Sequence, residues 1–236
     1  FPYTTLFRSV LDICRRADIV FIGLHGANGE DGKVQAVFDL MKIRYTGSGY
    51  LGSAVAMSKD FTKAVLKQCI PMPEGIVLTR KDPMRERIAA PCVIKPSNGG
   101  SSIGVQIVMR DEDYEEALMD AFMYDDVVLV EQFVEGRELT QGVFDGEALP
   151  PVEICPAEGF YDYRNKYNGK TVEICPAQIP DSVLKEMSGY SKLAGHMLGL
   201  EVYYRLDYIL DKEGRLFCLE VNTLPGMTDT SLIPQE

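Results

Sequence analysis

The chain lacks a run of apolar residues approaching the ~20 needed to span a bilayer, and its start lacks the charged-then-apolar pattern of a signal peptide. It is short of basic residues: 24 Lys and Arg against 35 Asp and Glu leave a net charge of −11. That balance argues against a nucleic-acid footprint or an anionic-membrane binder. None of the six cysteines (Cys14, Cys69, Cys92, Cys155, Cys175, Cys218) forms a C-x-x-C pair. All six stand in apolar runs and read as buried free thiols of a cytoplasmic protein, not as disulfides or a zinc site. No Gly-Lys-Ser/Thr closes a Walker A loop, so any phosphate site must be built another way.

What is present is ordinary globular material: 236 residues, 46% hydrophobic, enough for one large domain or two sharing a cleft. The most informative strings are Arg205-Leu206-Asp207 and Glu220-Val221-Asn222. They lie in strand-like runs at 202–210 and 215–221, joined by the turn residues Asp211-Lys212-Glu213-Gly214. A four-residue loop sets Arg205 opposite Glu220, with Asp207 one diagonal step away on the same face and Leu206, Tyr208, Leu219 and Val221 on the other. Two carboxylates and an amide oxygen gathered so suit Mg²⁺ bound with phosphates; the alternative is a solvated face with an Arg205–Glu220 ion pair. Thr223-Leu224-Pro225-Gly226-Met227-Thr228 follows, a turn whose backbone N–H groups could hold a developing oxyanion.

Earlier segments extend the pattern. Residues 19–24 read as a strand leading into a glycine-rich turn, and 33–41 as a helix. Ser58 can cap a helix over 59–68. Strands are expected at 76–79, 92–95, 103–108 and 127–133, and helices at 111–122 and 182–198. The first nine residues show no clean period and could be non-native; 10–16 resembles the tail of a helix. Lys95-Pro96-Ser97-Asn98-Gly99-Gly100-Ser101-Ser102-Ile103-Gly104 suits a flap over phosphates, with backbone amides and the Ser101 and Ser102 hydroxyls donating and Lys95 neutralising charge; a solvated hairpin loop would read alike. Lys59 is a second candidate cation, or a surface lysine. The strand ending in Glu131 leaves through a polar hinge at Val134 to Glu138, either an adenine and ribose site or a charged edge. Val152-Glu153-Ile154-Cys155-Pro156-Ala157 recurs at Val172–Ala177. The simplest account is two neighbouring strands flanking a tyrosine-rich loop, a lid or a mobile surface loop.

In this order and spacing, the segments Leu24-His25-Gly26…Gly29-Glu30-Asp31-Gly32, Met57-Ser58-Lys59, Lys95-Pro96…Gly100-Ser101-Ser102, Glu131…Glu138, Tyr161-Asp162-Tyr163…Lys166-Tyr167, Arg205-Leu206-Asp207 and Glu220-Val221-Asn222 resemble the D-alanine–D-alanine ligases of the ATP-grasp superfamily. The resemblance runs from about residue 19 to 234. It implies α/β followed by α+β structure: a partial Rossmann-like domain over 1–57, a central ATP-grasp subdomain over 58–134 and a C-terminal one over 135–236. Lys59 and Lys95 would contact ATP phosphates beneath the Ser101–Gly104 loop, with Ser102 donating. Glu131 and the hinge at Val134 would hold adenine, and Glu138 the ribose. Asp207, Glu220 and Asn222 would bind two Mg²⁺ ions, for which Mn²⁺ could substitute. Lys166 on the lid would reach the γ-phosphate. Ser101 and Tyr167 would anchor the first D-alanine, Arg205 and the Gly226 amide the tetrahedral intermediate, and Ser231 and Leu232 the second carboxylate. His25 and Tyr161 would sit beside the substrates.

The implied reaction is ATP-dependent joining of two D-alanines through an acyl phosphate, in peptidoglycan precursor synthesis, by a cytoplasmic enzyme that is a homodimer at full length. It needs only small-molecule substrates, D-alanine and ATP, and no nucleic acid or membrane. The family carries a glutamate near its N-terminus that binds the first amino acid's ammonium, and no glutamate precedes Glu30 here. The expectation is therefore a fragment, truncated at both ends, that keeps the nucleotide and metal site but is impaired as a ligase. A D-alanine–D-serine or, less well supported by Tyr167, a D-lactate ligase is the alternative within the frame. Another ATP-grasp ligase and a non-catalytic Mg·ATP-binding fragment are the alternatives outside it.

Overall fold

The computed structural model describes residues 2–81, 86–155, 172–229 and 231–236, with side chains from residue 8 onward. Apolar residues alternating along short β-branched runs build two antiparallel sheets. The first contains β1 (Gly75–Thr79), β2 (Cys92–Pro96), β3 (Gln106–Val108) and β4 (Val127–Gln132) in the order β1-β4-β2-β3. One face, bearing Leu78, Cys92, Ile94, Val108, Val128 and Val130, is covered by helix α5 (Tyr114–Ala121) through Tyr114, Ala117, Leu118 and Ala121. The other face is turned to a cleft.

The second sheet has the order β10-β9-β5-β7-β8, with β6 (Glu147–Ala148) pairing β5. Its strands are β5 (Gly136–Phe144), β7 (Val152–Cys155), β8 (Val172–Ile174), β9 (Tyr203–Asp211) and β10 (Leu216–Asn222). Leu139, Val143, Leu206, Tyr208, Leu216, Cys218 and Val221 pack against Met187, Ala194 and Leu198 of helix α6 (Asp181–Leu198), closing the largest core. Leu66 of α4 (Lys59–Leu66) and Ala56 of α3 (Tyr50–Met57) enter the same core, which fixes the start of α4 relative to β10. The repeated Val-Glu-Ile strings do pair as neighbours, Glu153 opposite Ile174.

The N-terminal part departs from expectation. Helix α1 spans Pro2–Cys14, further than the sequence period suggested. Residues 19–24 are not a strand: among the described residues they make one isolated bridge, Val20 to Tyr45. Ile22 is buried against Phe38 of α2 (Lys33–Met41) and Ile43, while Ile19, Phe21 and Leu24 are exposed. A strand needs a ladder to satisfy its backbone, and one bridge does not supply it. The cysteines also divide: all are free thiols, but only Cys92 and Cys218 are buried, and Cys69 is exposed beyond the end of α4. No helix among the described residues is long and apolar enough to cross a membrane.

Candidate active site

The cleft between the sheets is a cavity of about 490 Å³ lined by Lys95 and Glu131 from the first sheet and Glu138, Asp207 and Glu220 from the second, with Val134 at the hinge. Its floor is the β9–β10 hairpin. Glu220 stands directly opposite Asp207 and Asn222 opposite Arg205, two residues out from the expected Arg205–Glu220 pairing. Two local features account for the shift. Leu210 pairs with Leu216, so the turn takes one residue more, with the Asp211 N–H donating to Arg215 O at 3.0 Å. A bulge between Cys218 and Glu220 then adds a second. The bulge turns Leu219 into the cleft beside Ile209, against the expectation that it faces the core, while Cys218 stays buried. Bulges commonly re-aim side chains at functional edges in this way.

Arg205, expected against Glu220, instead forks onto Asp207. Its Nε donates to Oδ1 and its Nη2 to Oδ2, both at 2.9 Å. Thr140 Oγ1 donates to the same Oδ1 at 2.6 Å and Asn222 Nδ2 to Oδ2 at 3.0 Å. Burial acts against the Arg205 charge, but the adjacent Asp207 carboxylate outweighs it and raises the pKa. Asp207 is thus fixed on both oxygens, and Glu220 is the more accessible carboxylate of the floor, its side chain 34% exposed.

Above the floor sits Lys59, the first residue of α4. Its Nζ donates to Gly99 O at 2.8 Å and lies 3.8 Å from Glu220 Oε2. Burial lowers the Lys59 pKa, with Glu220 acting in the opposite sense. Lys59 therefore ties the glycine-serine loop to the acidic floor and is no surface lysine. Ser58 precedes the helix, but its hydroxyl makes no cap bond. It goes to Asp60 Oδ1, which also accepts from Ser97 Oγ at 2.5 Å, and the Lys59 N–H donates to Ser97 O at 3.0 Å. That knot registers α4 against the end of β2, and with it Lys59 against Lys95.

In the loop itself, Ser101 and Ser102 both hold left-handed φ, 55° and 57°. Such conformations are costly for a residue with a side chain and gather at ligand clamps. Ser102 and Ile103 line the cavity. Lys95 Nζ meets Glu131 Oε2 at 2.5 Å, while Lys63 Nζ donates to Oε1 at 2.5 Å. Both Glu131 oxygens are therefore occupied by lysines, although the residue lines the cavity as expected.

Beside this cavity a smaller crevice is lined by Glu30, Lys59, Gly99, Glu220 and Asn222. Burial raises the Glu30 pKa, opposed by the Gly26 N–H and by His25. His25 Nδ1 donates to Leu224 O at 2.7 Å, holding the ring just past the end of β10. Past Pro225, Ser231 Oγ accepts from the Thr228 N–H at 3.0 Å, and a Cβ on Gly226 would lie 2.5 Å from that oxygen. Gly226 and Ser231 are thus brought together, and Leu232 packs on Val152 and Ile154. Tyr161, Lys166 and Tyr167 lie outside the described residues.

The residues not singled out from sequence are Lys63, Asp60, Ser97 and Thr140. Lys63 was within reach of sequence reasoning: it is four residues from Lys59 on one helix, and side chains at that spacing share a face.

Two antiparallel sheets closing on a cleft, with lysines in its wall, carboxylates on its floor and a strained glycine-serine loop above, define an ATP-grasp fold. Comparison with known proteins narrows this. The family models described as D-ala D-ala ligase N-terminus and C-terminus match residues 5–48 and 68–236. A D-alanine–D-alanine ligase of Pediococcus pentosaceus is 43% identical over 97% of this chain and 66% of its own length. The structure of the Bacillus anthracis D-alanine–D-alanine ligase complexed with ATP superposes with a TM-score of 0.82 at 30% identity, over 97% of this chain and 75% of that one. The VanG D-Ala:D-Ser ligase of Enterococcus faecalis gives 0.81 at 30% identity, over 93% and 67%. The chain belongs to the D-alanine–D-alanine ligase family, and spans two thirds to three quarters of the length of these relatives.

Proposed function

We propose that the cleft binds ATP and that the chain catalyses ATP-dependent joining of two D-alanines through a D-alanyl phosphate. The observation that carries this reading is Lys59, held between the carbonyl of Gly99 and the carboxylate of Glu220. A half-buried cation there, with Lys95 across the cavity, is placed to neutralise phosphates, and phosphoryl transfer needs mainly positioning and charge neutralisation. Val134 and Glu138 at the hinge would take the adenine and ribose end. Glu131 would act there as a lysine-bound carboxylate, not as a direct acceptor from adenine.

Among the described residues no three of His, Cys, Asp and Glu gather as a metal cluster. The floor offers instead two carboxylates and an amide, Asp207, Glu220 and Asn222, hard oxygen donors that fit Mg²⁺ arriving with the nucleotide. Such ions would neutralise charge on the transferred phosphoryl group.

In the reaction, the carboxylate of the first D-alanine attacks the γ-phosphorus and ADP leaves. The amine of the second attacks the acyl carbon, the C–O bond to phosphate breaks, and the amine proton is released. Arg205, fixed by Asp207, and the Gly226 N–H would face the tetrahedral oxyanion. Ser231 and Leu232 would seat the second carboxylate, and His25 would lie beside the amino acids. Ser101, with Tyr167, would anchor the first D-alanine, and Lys166 would meet the γ-phosphate.

ADP release tests the reading. With ATP and Mg²⁺, ADP should form in response to D-alanine, together with D-alanyl-D-alanine. Release with D-alanine and D-serine that yields only the mixed dipeptide would move the assignment to the acceptor named for VanG. No dependence on any amino acid would overturn the ligase reading.

A further inference from the structure

Lys63 lies one helical turn beyond Lys59 on α4 and is buried, and unlike Lys59 and Lys95 it does not line the cavity. Its ammonium donates to Glu131 Oε1 and to the carbonyl of Pro73. Lys95 holds the other oxygen of the same carboxylate, so one buried glutamate carries two lysines. The backbone makes room for the cluster. Gly75 pairs with Glu131 in the β1–β4 ladder, and a Cβ there would lie 2.8 Å from Glu131 Cγ and 3.2 Å from Lys63 Nζ.

Burial opposes the charge on Lys95 and on Glu131, yet their mutual attraction wins: Lys95 is raised and Glu131 lowered. Two cations against one anion leave a single positive charge in excess at the cavity wall. With Lys63 absent, the sum would be zero, and Glu131 would hold Lys95 with both oxygens. A lysine bound in that way is a poor partner for a phosphate, because leaving the carboxylate would strand a buried charge.

We propose that Lys63 is a positioning residue for nucleotide binding: by holding one oxygen of Glu131 it leaves the Lys95 ammonium available to a phosphate in the cleft. This rests on the ATP reading above.

The test is calorimetric titration of Mg·ATP into the unmodified chain and into K63M, K63R, E131Q and the K63M/E131Q double variant. K63M should weaken ATP binding by roughly tenfold, the scale of one charge-assisted contact. K63R, which keeps the cation, should retain most of the affinity. In the E131Q background, K63M should add less than about twofold, because the group through which Lys63 acts is already gone. K63M leaves Glu131 paired with Lys95 and so buries no unpaired charge, and its comparison with K63R stands without the E131Q background. Equal loss in both backgrounds, or equal loss in K63R and K63M, would overturn the proposal. So would K63M binding as tightly as the unmodified chain. Failure of the unmodified chain to bind ATP would overturn the functional reading itself, and the role of Lys63 with it.

Discussion

Asp207 receives both arms of the Arg205 guanidinium from two residues away on its own strand, at 2.9 Å each. Neighbours at that spacing share a sheet face, and here both are buried. Arg205→Met would leave the buried Asp207 carboxylate without the Arg205 cation, while Thr140 and Asn222 still donate to it. Breaking such a pair costs about 3–5 kcal/mol. Chemical denaturation should show a lower midpoint with an unchanged slope; a midpoint equal to that of the unmodified chain would contradict the pairing.

The knot of Ser58, Asp60 and Ser97 registers one lysine against another, so its loss should be felt by the nucleotide more than by the fold. Ser97→Ala removes one donor to Asp60, worth about 0.5–1.5 kcal/mol. ATP affinity is expected to fall several-fold, while the KM for D-alanine stays put. Equal changes in both would point to general loosening.

Gly75→Ala places a methyl against Glu131 Cγ and the Val130 carbonyl. Overpacking of this kind costs about 1–3 kcal/mol. Thermal unfolding should detect it, and ATP binding should weaken with it. A fully stable Gly75→Ala variant would show that β1 can shift away from the lysine–glutamate cluster.

Glu30 gives a pH signature. Burial raises its pKa above the ordinary value of 4.5, so the folded chain holds this proton more tightly than the unfolded one. Stability is then lost as pH rises from 4.5 through the folded value, and the loss persists at neutral pH. Glu30→Gln cannot ionise and escapes that loss. The variant should therefore melt higher than the unmodified chain at neutral pH, with the gap closing below about pH 4. A gap independent of pH would rule out ionisation as its cause.

Much of this was legible in the sequence because turn residues and β-branched runs are strong local signals. The hairpin around Asp211-Lys212-Glu213-Gly214, the paired Val-Glu-Ile strands and the helix over Asp181–Leu198 all follow from them. The shared face of Arg205, Asp207, Glu220 and Asn222 was also legible, but its register was not. A bulge at Leu219 leaves no glycine or proline to announce it, and it displaces every pairing beyond it. The hydrophobic run over 19–24 misled because strand formation depends on a neighbour that composition does not reveal. Ser58 is a good cap residue, yet Asp60 two positions on competes for its hydroxyl. Glu131 stands in an apolar strand and needed a counterion from somewhere; only the tertiary structure shows that Lys63 and Lys95 both supply it.

The proposed reaction turns on attack of a D-alanine carboxylate on the γ-phosphate of ATP in this cleft. D-alanine labelled with oxygen-18 in its carboxylate tests that step directly, with the released phosphate analysed by mass spectrometry. Attack followed by amine displacement at the acyl carbon leaves one carboxylate oxygen on phosphorus, so one labelled oxygen per phosphate is expected. Unlabelled phosphate released with ADP would mean that water, not the amino acid, takes the phosphoryl group, and would contradict it.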